Sequence, residues 1–290
     1  MSESQRILVT GANGLLGRHA VATLRETHEV HAMVHTLPQD ALDGVIYHVL
    51  DLASDWSTAA LPSKIDSVFH LAQSSRFREF PELALDVFRV NVDSTARLLD
   101  YARRAGAKRF VFASSGGVYG AGAQAFTENS PIIPHGKLGY YLASKLCSEV
   151  LVQNYAQLMG VTILRFFFVY GAGQKRSMLI PRLVDNICEG HAITLQGNDG
   201  IRINPIHVSD AVRALQSSLK LEGSHTFNVA GPDVLSLREL AELIGQAVGK
   251  APVFSCEEVE PKHLVADIEE MQLKLVKPEI GFAKGLKELF

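Results

Sequence analysis

The sequence predicts an α/β fold, a doubly wound parallel sheet with a smaller C-terminal α/β lobe, on three observations. In Ile7–Gly17 a short apolar run opens into Gly11, Gly14 and Gly17, and a helical pattern starts at Leu15 and Leu16. Short apolar strands then alternate with amphipathic helical stretches through the first half of the chain. One such strand, Phe110–Ala113, delivers Ser114, Ser115, Gly116 and Gly117 to its C-terminal end, the edge of a parallel sheet at which ligands bind.

Size and composition bound the possibilities. The chain has 290 residues, of which 47% are hydrophobic, enough for one large α/β domain or one domain with an added lobe. A formal net charge of -3 gives no electrostatic footprint for nucleic acid or an anionic membrane, so neither partner is expected. Too few residues precede the first strand for a secretory leader, and no apolar run approaches the roughly 18 residues that span a bilayer. A cytoplasmic protein is therefore expected. Cys147, Cys188 and Cys256 are odd in number and far apart, matching neither a disulfide framework nor a zinc spacing. They read as reduced thiols, and no metal site is expected.

Ile7–Gly17 reads as strand, tight turn and helix. One glycine turns the chain, one admits a pyrophosphate against the backbone, and one lets the helix pack closely on the strand. The helix N-terminus adds free N–H groups and a partial positive charge. After this first helix, to about Thr27, comes the strand Glu29–Val34, ending at His35. An acid there would bond a ribose 2′-OH, and a basic residue would accommodate a 2′-phosphate. His35 is compatible with a leaning to NADP, with stacking on adenine or with an exposed loop position, so NAD and NADP both stay open. The strand Val45–Leu50 ends at Asp51, which either bonds the adenine amino group or caps the turn from Leu52.

The strand Ser67–Leu71 leads into Ala72 and Gln73, and a long helix is predicted from about Pro81 to Ala105. Asn91 lies in it among Val87, Val90 and Leu98, either as a half-exposed polar residue or as part of a site. Gly106, Lys108 and Arg109 mark the helix end. Farther on, Tyr141 and Lys145 stand four apart, on one helical face. An ammonium beside a phenol favours the phenolate, lowering a pKa that starts near about 10 toward a value useful for proton transfer. A serine hydroxyl nearby would hold a substrate oxygen. Tyr140 is the wrong tyrosine, since four residues on it meets Ser144. In the C-terminal part, Ser236–Val248 reads as a helix opened by a Ser cap with Glu239 three residues on, and Met178–Glu189 as a helix with Pro181 in its first turn.

These residues resemble the extended short-chain dehydrogenase/reductase family, the NAD-dependent epimerases and dehydratases, over essentially the whole chain. The resemblance rests on TGANGLLG at Thr10–Gly17, Asp51 with Leu52, HLA at His70–Ala72, NVDST at Asn91–Thr95 and SSGGVYG at Ser114–Gly120. It continues in YLASK at Tyr141–Lys145, LRFFFVYGAGQ at Leu164–Gln174, IHVSDA at Ile206–Ala211 and FNVAGP at Phe227–Pro232. It implies a parallel Rossmann domain over 1–168, with 203–228 returning to it, and a substrate lobe from 169–202 and 229–290. By the same likeness Ser115, four residues before Tyr119, is the catalytic serine, Tyr141 the acid/base, and Lys145 the residue that binds the nicotinamide ribose. NAD or NADP would lie against Gly11, Asn13, Gly14, Leu15, Leu16, Gly17, His35, Asp51, Leu52, Leu71, Ala72, Asn91, Ser114, Tyr141, Lys145 and Phe168. The substrate would meet Gln73, Ser115, Gly116, Tyr141, Phe168, Arg176 and Arg202. A homodimer through the helices around Asn91 and after Tyr141 is also implied.

Departures from the family pattern narrow the reaction. Members that remove water place an acid just after the serine, and members that epimerise beside a keto group place a Cys two residues after it; this chain has Gly116 and Gly117. What is left needs only Tyr141 and the cofactor: hydride transfer, in a nucleotide-sugar 4-epimerase or a 4-keto reductase. Where relatives carry Asn before VYG the chain has Phe168, and where they carry an Arg four residues before the IHV histidine it has Ile203, with Arg202 one position earlier. On a strand that shift turns the side chain to the other face. Lys175, Arg176 and Arg182 offer replacement charge or are a solvated face. A reductase or dehydrogenase of a non-nucleotide carbonyl or alcohol is the alternative, and a non-catalytic dinucleotide sensor a remote one.

Overall fold

The computed structural model describes residues 4–289. Its strands and helices, in chain order, begin with β1 (Arg6–Thr10), α1 (Leu15–Leu24), β2 (Glu29–Val34), β3 (Val45–Val49) and β4 (Ser67–His70). A helix follows in three pieces: α2 (Ala84–Phe88), a π-helical turn at Arg89–Asp93, and α3 (Ser94–Arg104). Then come β5 (Arg109–Ser115), α4 (Gly139–Asn154), β6 (Gly160–Phe166), β7 (Val169–Tyr170), α5 (Leu179–Glu189), β8 (Ile193–Gln196), β9 (Arg202–Ile203) and β10 (Ile206–His207). The chain finishes with α6 (Val208–Ser218), β11 (His225–Val229), β12 (Leu235–Ser236), α7 (Leu237–Val248), β13 (Phe254–Glu257), α8 (Glu269–Lys274) and α9 (Phe282–Gly285).

Seven strands form the main sheet in the order β11-β6-β5-β4-β1-β2-β3. From β5 across to β3 every adjacent pair is parallel. Ile7, Leu8, Val9, Val68 and Phe69 are fully buried, the unbroken apolar pattern that a parallel sheet needs when both faces are covered. Strand β3 sits at an edge, and there the pattern loosens, with Ile46 and Val49 exposed. The strand order reverses at β1, between β4 and β2, which opens a crevice at the C-terminal ends of β1 and β4.

The chain divides into two compact units. One holds the residues up to Val118, Ile133–Arg165 and Val212–Phe227; the other holds Tyr119–Ile132, Phe166–Ala211 and the residues from Asn228 on. The sequence places 1–168 and 203–228 in the first domain, whereas here 119–132, 166–168, 203–211 and 228 group with the second unit. Within that unit Tyr119 donates to Asn228 Oδ1 at 2.9 Å and stacks on Phe126, and β10 pairs with β7. Its core gathers Tyr170, Ile180, Leu183, Leu195, Ile203, Leu240, Ile244 and Phe282. The first unit's core is built from Leu8, Met33, Val68, Leu98, Phe110, Phe112 and Ile163.

Local signals act as expected at several ends. Ser236 and Glu239 form a reciprocal capping box at the start of α7. The predicted helix from Pro81 begins three residues later and is not continuous, because the π turn widens it around Asn91. The strand Phe110–Ala113 runs on through Ser115, so both serines are strand residues rather than loop residues.

The tightest contact in the first unit lies between α1 and the turn that precedes it. A Cβ on Gly17 would fall on the Gly11 carbonyl oxygen and 2.8 Å from Ala12 Cα. Gly17→Ala therefore lowers the unfolding free energy by about 1–3 kcal/mol, the usual cost of overpacking. A urea titration reads this as a lower midpoint at unchanged slope. An unchanged midpoint would mean that α1 can retreat from the turn without loss.

Candidate active site

At the end of β1 the chain turns in a space that admits no side chain. Gly11 takes φ +66°, and a Cβ there would sit 2.7 Å from Ala72 Cα. Gly14 N donates to the Gly11 carbonyl at 2.9 Å, and Gly14 is the N-cap of α1. No side chain caps this helix end and no acid stands in its first turn, so its leading N–H groups keep their partial positive charge without a protein anion. Asn13 is exposed, and its Nδ2 donates to the Thr36 carbonyl at 2.6 Å, tying the turn to the segment after β2. Leu15 and Leu16 are half-buried at the base of α1. The cradle fits a pyrophosphate.

The ends of β2 and β3 bring His35 and Asp51 together, with Nδ1 and Oδ1 3.5 Å apart on the surface. Asp51 also accepts from Ala53 N at 2.9 Å, so it caps the turn while Leu52 packs into the core. Beyond β4, Leu71 is half-buried and Ala72 buried.

Strand β5 and helix α4 carry the serine, tyrosine and lysine that the sequence singles out. Ser114 is buried and donates to Glu149 Oε1 at 2.5 Å, whereas Ser115 is half-exposed and its Oγ accepts from Gly117 N at 3.2 Å. Alternation along the strand thus turns one serine inward and offers the other. Gly116 is buried beside it. Tyr141 is half-buried, and its hydroxyl donates to Gln73 Oε1 at 3.0 Å. The Phe77 ring lies 4.8 Å from the Tyr141 ring, tilted against it. One turn on, Lys145 is buried; its Nζ donates to the Ala113 carbonyl at 2.9 Å and lies 5.2 Å from the Phe112 ring centre.

The electrostatics correct one expectation. Tyr141 is pushed up to about 12 by burial, with a hydrogen bond to Ser115 acting the other way. Burial also brings Lys145 down to about 8, with the Glu149 carboxylate holding it up. The sequence predicted that Lys145 would lower the phenol; in this site desolvation of the phenolate outweighs it, and the ammonium is aimed at a backbone carbonyl.

Asn91 is buried rather than half-exposed. The π turn presents its carbonyl to the hydroxyls of Thr95 and Ser148 at 2.6 and 2.8 Å. Its side chain accepts from Ser74 N at 2.8 Å and donates to Ser144 Oγ at 2.8 Å. It therefore joins the segment after β4 to α4. Behind it His70 bridges Thr10 and Thr95 at 2.7 and 2.9 Å, and is kept neutral by burial, its pKa lowered to about 3.

Three contributors escaped the sequence reading. Glu149 and Arg165 form a buried two-pronged pair at 3.0 Å (Nε to Oε1) and 2.7 Å (to Oε2). The signals existed: Glu149 stands four after Lys145, and Arg165 is a charge inside an otherwise buried strand, which demands a partner. Phe77 carried no such signal.

Phe168, Arg176 and Arg202 belong to the second unit. Phe168 takes φ 47°, the one non-glycine positive value among the described residues, and packs half-buried against that unit's core. Arg176 is not spare charge, since its Nε pairs with Asp185 at 3.0 Å. On β9, Arg202 is exposed and Ile203 fully buried, the alternation that the one-residue shift implies.

A glycine cradle at the reversal point of a doubly wound sheet, with serine, tyrosine and lysine gathered from β5 and α4, defines the extended short-chain dehydrogenase/reductase class. The chain belongs to the NAD dependent epimerase/dehydratase family, whose model matches residues 7–230. It is 30% identical to an uncharacterized UDP-glucose epimerase, YtcB, of Bacillus subtilis (strain 168), over 97% of this chain and 95% of that protein. It is 29% identical to a dTDP-glucose 4,6-dehydratase of Streptomyces griseus, over 97% and 89%. Among solved structures it resembles MoeE5 in complex with UDP-glucuronic acid and NAD, with a TM-score of 0.85 and 30% identity over 98% and 97% of the two chains.

The buried pair gives a test of how the site is held. Glu149→Leu strands the Arg165 charge and lowers stability by about 3–5 kcal/mol, and adding Arg165→Met recovers most of the loss. Denaturant midpoints of the single and double variants check this; a double variant no better than the single would place the cost in packing instead.

Proposed function

We propose that the protein is an NAD-dependent nucleotide-sugar 4-epimerase. The observation that carries this reading is the pairing of Ser115, Tyr141 and Lys145 with glycine at 116 and 117. The site has a proton-transfer pair and no acid beside the serine to take a proton from carbon. The relatives named for UDP-sugar epimerisation, and MoeE5 with its UDP-sugar and NAD, support the substrate class. Gly11, Asn13, Gly14, Leu15, Leu16 and Gly17 hold the dinucleotide pyrophosphate, with Leu52, Leu71, Ala72 and Ser114 along the same strand ends. NAD is favoured over NADP because the Asp51 carboxylate beside His35 repels a 2′-phosphate. Bound NAD would supply a hydride acceptor for the carbon that bears the sugar hydroxyl, and a hydride donor to the opposite face of the resulting ketone. Tyr141 takes the proton from the sugar hydroxyl and gives it back, Ser115 Oγ holds that oxygen, and the Lys145 charge favours the phenolate on which the transfer depends.

Phe168 and Ile203 motivate a second reading, a reductase of a non-nucleotide carbonyl compound. Nucleoside diphosphates that fail to raise the melting temperature would favour it.

Tyr141→Phe removes the acid/base alone. Turnover of a UDP-hexose is expected to fall by at least about a thousandfold. NAD recovered by mass spectrometry from the denatured variant is expected to stay stoichiometric, as in the parent protein. Turnover that survives would sink the role given to Tyr141.

The protein forms a homodimer through α2 and α4. Leu85, Phe88 and Val150 are exposed apolar residues on these two helices, which pack beside each other. Leu85→Glu combined with Val150→Glu is expected to halve the mass seen by sedimentation; a parent protein that sediments as a monomer would refute the dimer.

A further inference from the structure

The hydroxyl of Tyr141 is already engaged by a side chain of the chain itself. We infer that Gln73 is a positioning residue that follows the Tyr141 proton, accepting from the phenol and donating to the phenolate. This rests on the acid/base role proposed for Tyr141.

The mounting of Gln73 is rigid and its side chain is free. On one side of it Ala72 N donates to Thr10 Oγ1 at 3.2 Å; on the other, Ser74 N donates to the buried Asn91 Oδ1 at 2.8 Å. Ser74 Oγ also donates to Asp86 at 2.5 Å. The backbone at 73 is thus pinned to β1 and to the π turn, while the Gln73 side chain itself is exposed and can turn end for end. Its Oε1 lies 3.0 Å from the Tyr141 hydroxyl. A half-turn about the terminal bond puts Nε2 in that place, converting an acceptor into a donor. Phe77, on the same segment, lies against the Tyr141 ring and limits water on that face.

The direction of the effect follows from the relative strength of the two bonds. A neutral amide accepting from a neutral phenol makes an ordinary hydrogen bond; the same amide donating to a phenolate makes a charge-assisted one, roughly twice as strong. Gln73 therefore stabilises phenolate more than phenol, against the burial that pushes Tyr141 up. Polar and charged groups on the elements around it include Lys145 on α4, Ser115 on β5, Arg76 beside Ser74, Arg78 over the Phe77 ring, and Asp86 on α2 behind Ser74.

The test uses the full chain without substrate, with a fluorinated tyrosine at position 141 so that its more acidic phenol titrates where the protein stays folded. Fluorine NMR follows that phenol alone. Gln73→Met keeps the bulk and removes both bonds, so the phenol pKa is expected to rise by about half a unit. Gln73→Glu accepts but cannot donate once ionised, and a rise of at least about one unit is expected. The acidic limb of the turnover profile moves the same way in variants carrying ordinary tyrosine. A pKa that is unchanged or lower in Gln73→Met overturns the inference, because an acceptor-only Gln73 would have held the phenol protonated. Failure of the acid/base reading is seen separately, in the turnover of Tyr141→Phe.

Discussion

The way α4 is fastened to β5 is the constraint on which the site depends. Three side chains of α4 do it: Lys145 Nζ bonds the Ala113 carbonyl, Glu149 bonds Ser114 and Arg165, and Ser144 bonds Asn91. Lys145 and Glu149 share one helix face with Ser144 at its flank, and the partners lie on β5, β6 and the π turn. Positions 141, 145 and 149 are successive turns of that face, so fixing two of them fixes the third. Tyr141 is the member that holds no strand, and its hydroxyl meets the side chains of Gln73 and Ser115 instead.

Burial makes this fastening costly and gives it its electrostatic character. An ammonium with almost no exposure loses most of its hydration, and a backbone carbonyl restores only part of it. The Glu149 carboxylate one turn away offsets more, but it is itself shared with Arg165 and Ser114. Lys145 thus falls to about 8 and is still mostly charged at neutral pH. Tyr141 moves the opposite way for the same reason, since an anion is what burial disfavours there. At neutral pH the phenol is therefore protonated and the ammonium mostly charged, so forming the phenolate needs a further charge or a donor beside it.

Much of this was legible in the chain. The glycine turn, the parallel strands and the Tyr141 and Lys145 spacing follow from local rules of period and backbone freedom, and local rules are what a sequence displays. Asn91 stayed ambiguous because a polar residue on an apolar helix face looks the same whether it is half-exposed or buried with partners. Only the π turn, which no residue pattern announces, separates the two. The balance at Tyr141 was misjudged because spacing reports which charges are near, while the phenol responds first to how much water it has lost. Arg176 was misplaced for a related reason, since its partner Asp185 lies a helix turn and a loop away.

Phe168 shows how such departures are sustained. A left-handed backbone suits Asn, whose short side chain tolerates it, and penalises an aromatic residue by about 1–3 kcal/mol. Packing that ring against the core of the second unit recovers a similar amount, about 1.5–3 kcal/mol for a fully buried aromatic and less for this half-buried one. The two nearly cancel, so the exchange is neutral to the fold while it deletes an amide donor. Ile203 repeats the trade on β9, where full burial accounts for the isoleucine and the arginine beside it faces solvent. At both positions an apolar side chain packed into a core stands where the family pattern carries a polar one, so neither side chain offers a hydrogen bond to a ligand.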